Sequence, residues 1–308
     1  MNYELKPLPF DATELRGLSE RLIVSHHRNN YAGAVGRLNA IRTRVRSIDI
    51  EKVAGFELNG LKREELIAAN SMLLHEVHFD NLGGKSELAD GPLRTALAAA
   101  FGSFDRWRAE FVAIGKALAG GSGWVLMSWF PRGGQLVNQW SADHAHALGE
   151  ATPIIALDMY EHAYYIDYGS AAADYVQAFM HNLHWDRIAE RFELAVAATA
   201  ASIEIAPDAL AAQLNDWQII DVRRRPVFEA AEEVIVGARW RDPEHVDVWA
   251  CDLDRARPMA LYCVHGHAIS RATALALRHR GFDVHCVAGG IEAWRARNLP
   301  LKRKEGQP

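Results

Sequence analysis

The sequence predicts two folded parts of different class. The first is an α+β domain, with a long helical hairpin followed by an α/β portion that carries a small antiparallel sheet. The second is an α/β domain built on a parallel sheet. Three observations predict this. Residues 19–118 carry long stretches of helical apolar periodicity. Residues 124–157 switch to short β-rich runs separated by turn residues. Beyond residue 203 short apolar runs alternate with helical segments, the rhythm of a parallel sheet covered on both faces. At 308 residues the chain is long for one core, so two domains, 1–198 and 203–303, are expected.

The elements follow in order. Ser19 is a good N-cap for a helix over 19–45, on which Leu22, His26, Asn30, Ala34 and Leu38 share an i, i+4 ridge. A second helix spans 62–79 and stops at Gly83-Gly84. Helical periodicity returns over 93–118, interrupted at Gly102-Ser103 and ended by Gly120-Gly121-Ser122-Gly123. Strands are predicted over 124–129 and 135–138, joined by the turn Pro131-Arg132-Gly133-Gly134, and over 153–157. Helices run on to 198, and 197–203 is a small-residue connector. In the second part, 218–222, 260–263 and 284–287 read as strands, and 271–280 and 291–297 as helices.

Composition narrows the function classes. A net charge of −5 argues against nucleic acid or an anionic membrane as partner, and no apolar run is long enough to span a bilayer. The first ten residues lack the basic flank and apolar stretch of a secretory signal. Three cysteines, an odd and sparse set, fit a reducing compartment, so the cytoplasm is expected.

Chemistry concentrates in Asp158-Met159-Tyr160-Glu161-His162-Ala163-Tyr164-Tyr165-Ile166-Asp167-Tyr168, which follows the apolar run Ile154-Ile155-Ala156-Leu157. A carboxylate at a strand end and an imidazole four residues on can turn to one point, half of a site for a first-row metal. The whole string closely resembles the metal-binding signature of the iron/manganese superoxide dismutases. Phe101-Gly102-Ser103-Phe104 and Gly121-Ser122-Gly123-Trp124 resemble two further strings of that family, and the resemblance covers about residues 3–195. It implies two more histidine ligands, one on each of the first two helices. His26 and His75 stand there, although a lone helical histidine facing a core is by itself more often a hydrogen-bonded structural residue. The implied cofactor is one iron or manganese ion per chain, held by His26, His75, Asp158 and His162. The implied substrate is superoxide, which such an ion converts to dioxygen and hydrogen peroxide.

The resemblance also implies supporting roles. Trp124 and Tyr160 line the metal pocket. Glu161 crosses a dimer interface to bond the ligand His162 of a second chain, with Tyr165 near the same seam, so a homodimer is expected. The chain departs from the family pattern in places. Asn30 and Ala34 stand where many members have a His and a Tyr facing the substrate channel. Ser71 and Ala142-Asp143-His144 stand where a glutamine normally bonds the metal-bound water. His144 is the candidate for that role, with Asp143 next.

In the second part, Tyr262-Cys263-Val264-His265-Gly266-His267-Ala268-Ile269-Ser270 places a thiol at a strand end before a glycine-containing loop and a helix. Backbone N–H groups of such a loop lower a thiol pKa and stabilise an anionic persulfide. The loop resembles the rhodanese active-site loop. Ile220-Asp221-Val222-Arg223 and Gly289-Gly290-Ile291-Glu292-Ala293-Trp294 are similar to rhodanese landmarks, which makes 203–303 a rhodanese-like domain. The form Cys-Val-His-Gly-His looks like a branch associated with chromate-resistance proteins. Cys263 is the candidate catalytic thiol. His265, Gly266 and His267 complete the loop, Ala268 replaces a frequent arginine, and a Gly-His-Ile-Pro-Gly-Ala string survives only in Val236-Gly237-Ala238. Cys251 and Cys286 read as structural thiols. The leading expectation is a superoxide dismutase fused to a sulfurtransferase or redox domain. The alternative is a dimeric metal-binding scaffold with little turnover, carrying a Cys263-based domain.

Overall fold

A computed structural model of the chain describes residues 2–84 and 87–304. The backbone clusters into two compact units. One gathers 1–88, 108–128 and 138–188, and the other 89–107, 129–137 and 189–308.

The first unit begins with α1 (Glu20–Ser25), capped by the Ser19 hydroxyl, which accepts from the Leu22 N–H. The helix then widens over His26–Tyr31, where the Ala32 N–H reaches back five residues to the His27 carbonyl, and continues as α2 (Ala32–Ser47). The predicted single helix therefore contains an inserted wide turn, a feature that concentrates at functional sites. Tyr31, the last residue of that turn, lies in the core at 1% exposure, beside the predicted ridge. α3 (Gly55–Asp80) packs against α2 and starts earlier than predicted, its first turns lying largely exposed, with Phe56 turned to solvent and Leu58 and Leu61 only partly buried. The helical stretch over 93–118 is interrupted where the sequence indicates, giving α4 (Pro92–Phe101), which falls in the second unit, and α5 (Phe104–Ala117), parted at Gly102, whose φ of +85° a residue with a Cβ adopts only at a cost.

β1 (Trp124–Phe130), β2 (Gln135–Ser141) and β3 (Thr152–Asp158) form a small antiparallel sheet in the order β2-β1-β3. β3 is thus an edge strand, and side chains cover its outer edge. The Asn81 amide accepts from the Ala156 N–H and donates to the Ile154 carbonyl, His78 Nδ1 donates to the Ala156 carbonyl, and the Tyr175 hydroxyl donates to the Asp158 carbonyl. Buried backbone groups need such partners, and Asn81 and His78, at the end of α3, do the work of a missing strand. α6 (Tyr165–Tyr168), α7 (Ala172–His181) and α8 (Trp185–Ala200) follow.

In the second unit β4 (Glu204–Ile205), α9 (Pro207–Ala211), β5 (Gln218–Asp221), α10 (Arg225–Ala230), β6 (Glu233–Ile235), β7 (Arg239–Trp240), α11 (Val246–Trp249), β8 (Met259–Tyr262), α12 (Ala268–His279), β9 (Val284–Val287), α13 (Gly290–Ala296) and β10 (Leu301–Arg303) succeed one another. Five strands make a parallel sheet in the order β4-β9-β8-β5-β7, and β10 pairs antiparallel with β6. The strands that periodicity missed, β4, β6, β7 and β10, are two or three residues long. Apolar clusters lie on both faces of the parallel sheet. Leu261, Val284 and Cys286 belong to one, and Ala260, Tyr262 and Trp294 to the other.

Candidate metal centre and cysteine loop

Four elements meet below the wide turn. His26 comes from that turn, His75 from α3, Asp158 from the end of β3, and His162 from the short turn Glu161–Ala163. His26 and His75 are each 1% exposed and Asp158 is fully buried. The Nε2 atoms of His26 and His162 each lie 3.1 Å from Asp158 Oδ2, and that of His75 lies 3.5 Å away. One donor atom from each of the four residues falls within 4.8 Å of the others.

The donor set fits a metal ion. His75 Nδ1 donates to the Ser71 carbonyl at 2.6 Å, which leaves Nε2 as the bare nitrogen. That Nε2 is buried and has no hydrogen-bond partner among the described residues. A ligating histidine is usually held in this way, its second nitrogen tied to a backbone carbonyl. Burial, reinforced by His26, holds the His75 imidazole well below its usual pKa, and burial likewise lowers that of His26, so both are neutral. Burial alone would raise the Asp158 carboxyl, but His162 and His26 overrule it and keep the group ionised, well below the usual range. Neutral imidazoles and one carboxylate are the forms that ligate.

Trp124 is fully buried, with its ring edge on to His75 at 5.3 Å, and its indole N–H donates to His144 Nδ1 at 3.0 Å. Tyr160 lies between two imidazoles, stacked 4.8 Å from His144 and 5.5 Å from His162. A cavity of about 190 Å³ opens over His75, His144 and His162, and Asn30, Ala34 and Ser71 also line it. Asp143 is not among the lining residues. Its carboxylate turns away to accept from the Ala145 N–H, so of the two candidates only His144 reaches the cavity. Glu161 and Tyr165 are exposed. Several residues around the site carried no signal in the sequence. Tyr31 stacks on His75 and donates to Glu76, His78 lies 5.1 Å from His26, and Tyr175 bonds the Asp158 carbonyl. Their partners lie far along the chain, out of reach of any local pattern.

The second candidate site is at the end of β8. Cys263 is 6% exposed and its Sγ lies 3.3 Å from the Ser270 hydroxyl on α12. The Cys263 and Val264 carbonyls accept from the Ile291 and Glu292 N–H groups at the start of α13. Gly266 has φ +69°, and a Cβ there would stand 2.7 Å from the Gly289 nitrogen. His265 and His267 are exposed, their rings 5.6 Å apart. The Ile-Asp-Val-Arg string builds a buried clamp beside the loop: Asp221 accepts from Arg223 and from the Tyr262 hydroxyl, and Arg223 donates to the Glu233 carbonyl. Cys286 is fully buried, and burial pushes its thiol pKa up. Cys251, expected as a structural thiol, is exposed, because it falls in a short surface turn where its sulfur donates to the Val248 carbonyl.

Comparison with known proteins agrees with this geometry. The chain is 60% identical over 196 residues to a "Superoxide dismutase [Fe]" of Cupriavidus metallidurans, an alignment that covers 64% of this chain and 99% of the relative. The chain belongs to the iron/manganese superoxide dismutase family. Members with other metals in their names are also similar. "Superoxide dismutase [Mn] 2" of Haloferax volcanii is 33% identical, with 64% of this chain and 98% of the relative covered. "Superoxide dismutase [Mn/Fe]" of Propionibacterium freudenreichii is 29% identical, with 62% and 96% covered. The model for the C-terminal domain of iron/manganese superoxide dismutases matches residues 89–191, and that for the rhodanese-like domain matches 206–297. In this dismutase-family chain the metal-capable cluster thus takes two of its four residues from the helical hairpin and two from the segment the C-terminal model matches. The cysteine loop lies wholly within the rhodanese-like match.

Proposed function

We propose that the chain is a superoxide dismutase, carried by residues 1–198, joined to a rhodanese-like sulfur-transfer domain in 203–303. The observation that carries the first part is the convergence of the His26, His75 and His162 nitrogens on Asp158 Oδ2 in a buried site, with His75 Nε2 left without a hydrogen bond among the described residues. His26, His75, Asp158 and His162 hold one iron or manganese ion. When bound, that ion supplies the one-electron exchange that oxidises one superoxide to dioxygen and reduces a second to hydrogen peroxide.

The remaining residues prepare the site. His144 accepts from Trp124 at Nδ1, so its single hydrogen sits on Nε2, and burial keeps the ring neutral. His144 therefore offers an N–H donor in the cavity it shares with His75 and His162, suited to holding solvent and relaying a proton to product. Trp124 and Tyr160 exclude bulk water from the imidazoles. His162 turns Nε2 to Asp158, which leaves Nδ1 for an outside acceptor, and the exposed Glu161 beside it supports a reciprocal bridge across a homodimer with Tyr165 near the seam. In the second domain, the Cys263 thiolate attacks the outer, sulfane sulfur of a donor such as thiosulfate, forming a persulfide as the S–S bond of the donor breaks and sulfite leaves, and a nucleophilic acceptor then takes that sulfur and frees the thiolate, with His265, Gly266 and His267 shaping the loop. Among the described residues no helix is long and apolar enough to cross a membrane. The three cysteines are free, and we place the protein in the cytoplasm.

The test is to measure bound iron and manganese and superoxide removal on one purified sample. About one ion per chain is expected, with activity and metal both lost in His162→Ala. An active protein without either metal would overturn the assignment.

A further inference from the structure

The cavity over the metal centre has an uneven charge. Its lining includes Asn30, Ala34, Ser71 and three histidines, and of its residues Arg37 alone carries a permanent charge. Arg37 lies on α2 one turn beyond Ala34, where the family resemblance leads to a phenol and this chain has a methyl group. The guanidinium is held loosely. Its contact with Glu64 is 3.9 Å long, and the two side chains are 63% and 44% exposed. A pair of that kind is worth little and leaves the donors of Arg37 open to another anion.

A chain of net charge −5 repels a small anion at long range, so a turnover site for an anion gains from a local cation at its mouth. We propose that Arg37 is the residue that receives superoxide at this site, a steering and positioning group that draws the anion into the space opened by Ala34 and Asn30. The inference rests on the dismutase reading above. It assigns Arg37 no ligand role and no part in electron transfer.

The experiment uses the full-length, metal-loaded protein. The second-order rate constant for superoxide removal is measured by stopped flow across ionic strength, with metal content determined on each sample. In the parent the rate constant falls as salt is added. Arg37→Gln is expected to be roughly 3–10-fold slower at low ionic strength and to lose the parent's fall with salt, since a focusing cation in a cleft raises on-rates by about tenfold or more. Arg37→Lys keeps most of the rate. Arg46→Gln changes net charge equally but lies roughly 13 Å further along the same helix, at a rise of about 1.5 Å per residue, and behaves as the parent. Three results overturn the inference: a parental rate and salt slope in Arg37→Gln, an equal loss in Arg46→Gln, or a loss in Arg37→Gln that tracks lost metal. A metal-loaded parent that removes no superoxide overturns the dismutase reading, and this inference with it.

Discussion

Asn81→Leu tests how the metal centre is supported from behind. Asn81 is fully buried, and its amide completes the outer edge of β3 two residues before the ligand-bearing end. Its Oδ1 accepts from the Ala156 N–H at 2.9 Å and its Nδ2 donates to the Ile154 carbonyl at 3.2 Å. Leucine keeps the branching and the number of heavy atoms, with bulkier ends, but offers neither polar atom. Stranding a buried donor costs about 1–3 kcal/mol, and losing the second bond adds roughly 1 kcal/mol. The expected local destabilisation is thus about 2–4 kcal/mol. Hydrogen exchange read on peptides covering 152–158 isolates this from the rest of a two-unit chain. At tenfold per roughly 1.4 kcal/mol, the Ala156 amide should exchange about 30- to several hundred-fold faster. Metal retention should weaken too, because Asp158 terminates the same strand. Exchange over 152–158 within threefold of the parent would refute the edge-cover argument, as would acceleration of equal size over 259–262, in another sheet.

Three further outcomes are expected. Burial pushes the His78 pKa down to about 3, so an unfolded chain, with a histidine near 6.5, binds that proton first and folding stability falls as pH drops from 6.5 toward 3. His78→Phe in the metal-free protein should lose about 1 kcal/mol at pH 7.5 with the bond to Ala156, yet lose less than the parent between pH 6.5 and 4; parallel urea curves would contradict this. Gly266→Ala forces a Cβ into φ +69° and 2.7 Å from the Gly289 nitrogen, so sulfur transfer should drop at least about tenfold while superoxide removal persists. Cys263→Ser should abolish sulfur transfer from thiosulfate and leave superoxide removal at the parental rate; sulfur transfer surviving in Cys263→Ser would move the chemistry to another thiol.

Local physics made much of this protein readable from its sequence. Ser19 announced the first helix because a hydroxyl just before an apolar helical pattern is well placed to accept from the free N–H groups after it, and it does cap Leu22 while also donating to Asp167. The alternation beyond residue 203 led to a parallel sheet because buried strands and covering helices impose different periods. His26, His75, Asp158 and His162 were legible by order and neighbouring strings, which name candidates and say nothing of distance. Tertiary structure decided the rest. Only packing shows that nitrogens from residues 26, 75 and 162 meet one carboxylate oxygen. That His144 lines the cavity and Asp143 does not is likewise a matter of packing, with the Trp124 N–H holding the imidazole from twenty residues away in sequence. The wide turn at His26–Tyr31 has no composition signature, since it depends on what the helix packs against. Strands of two or three residues are too short to express a period and exist only because neighbours hydrogen-bond to them. The cover on β3 comes from side chains more than seventy residues upstream, whose purpose appears only when Asn81 and His78 lie along that edge. A sequence fixes which groups a chain owns and their local preferences. Which of them become partners depends on distances that the closed fold alone sets.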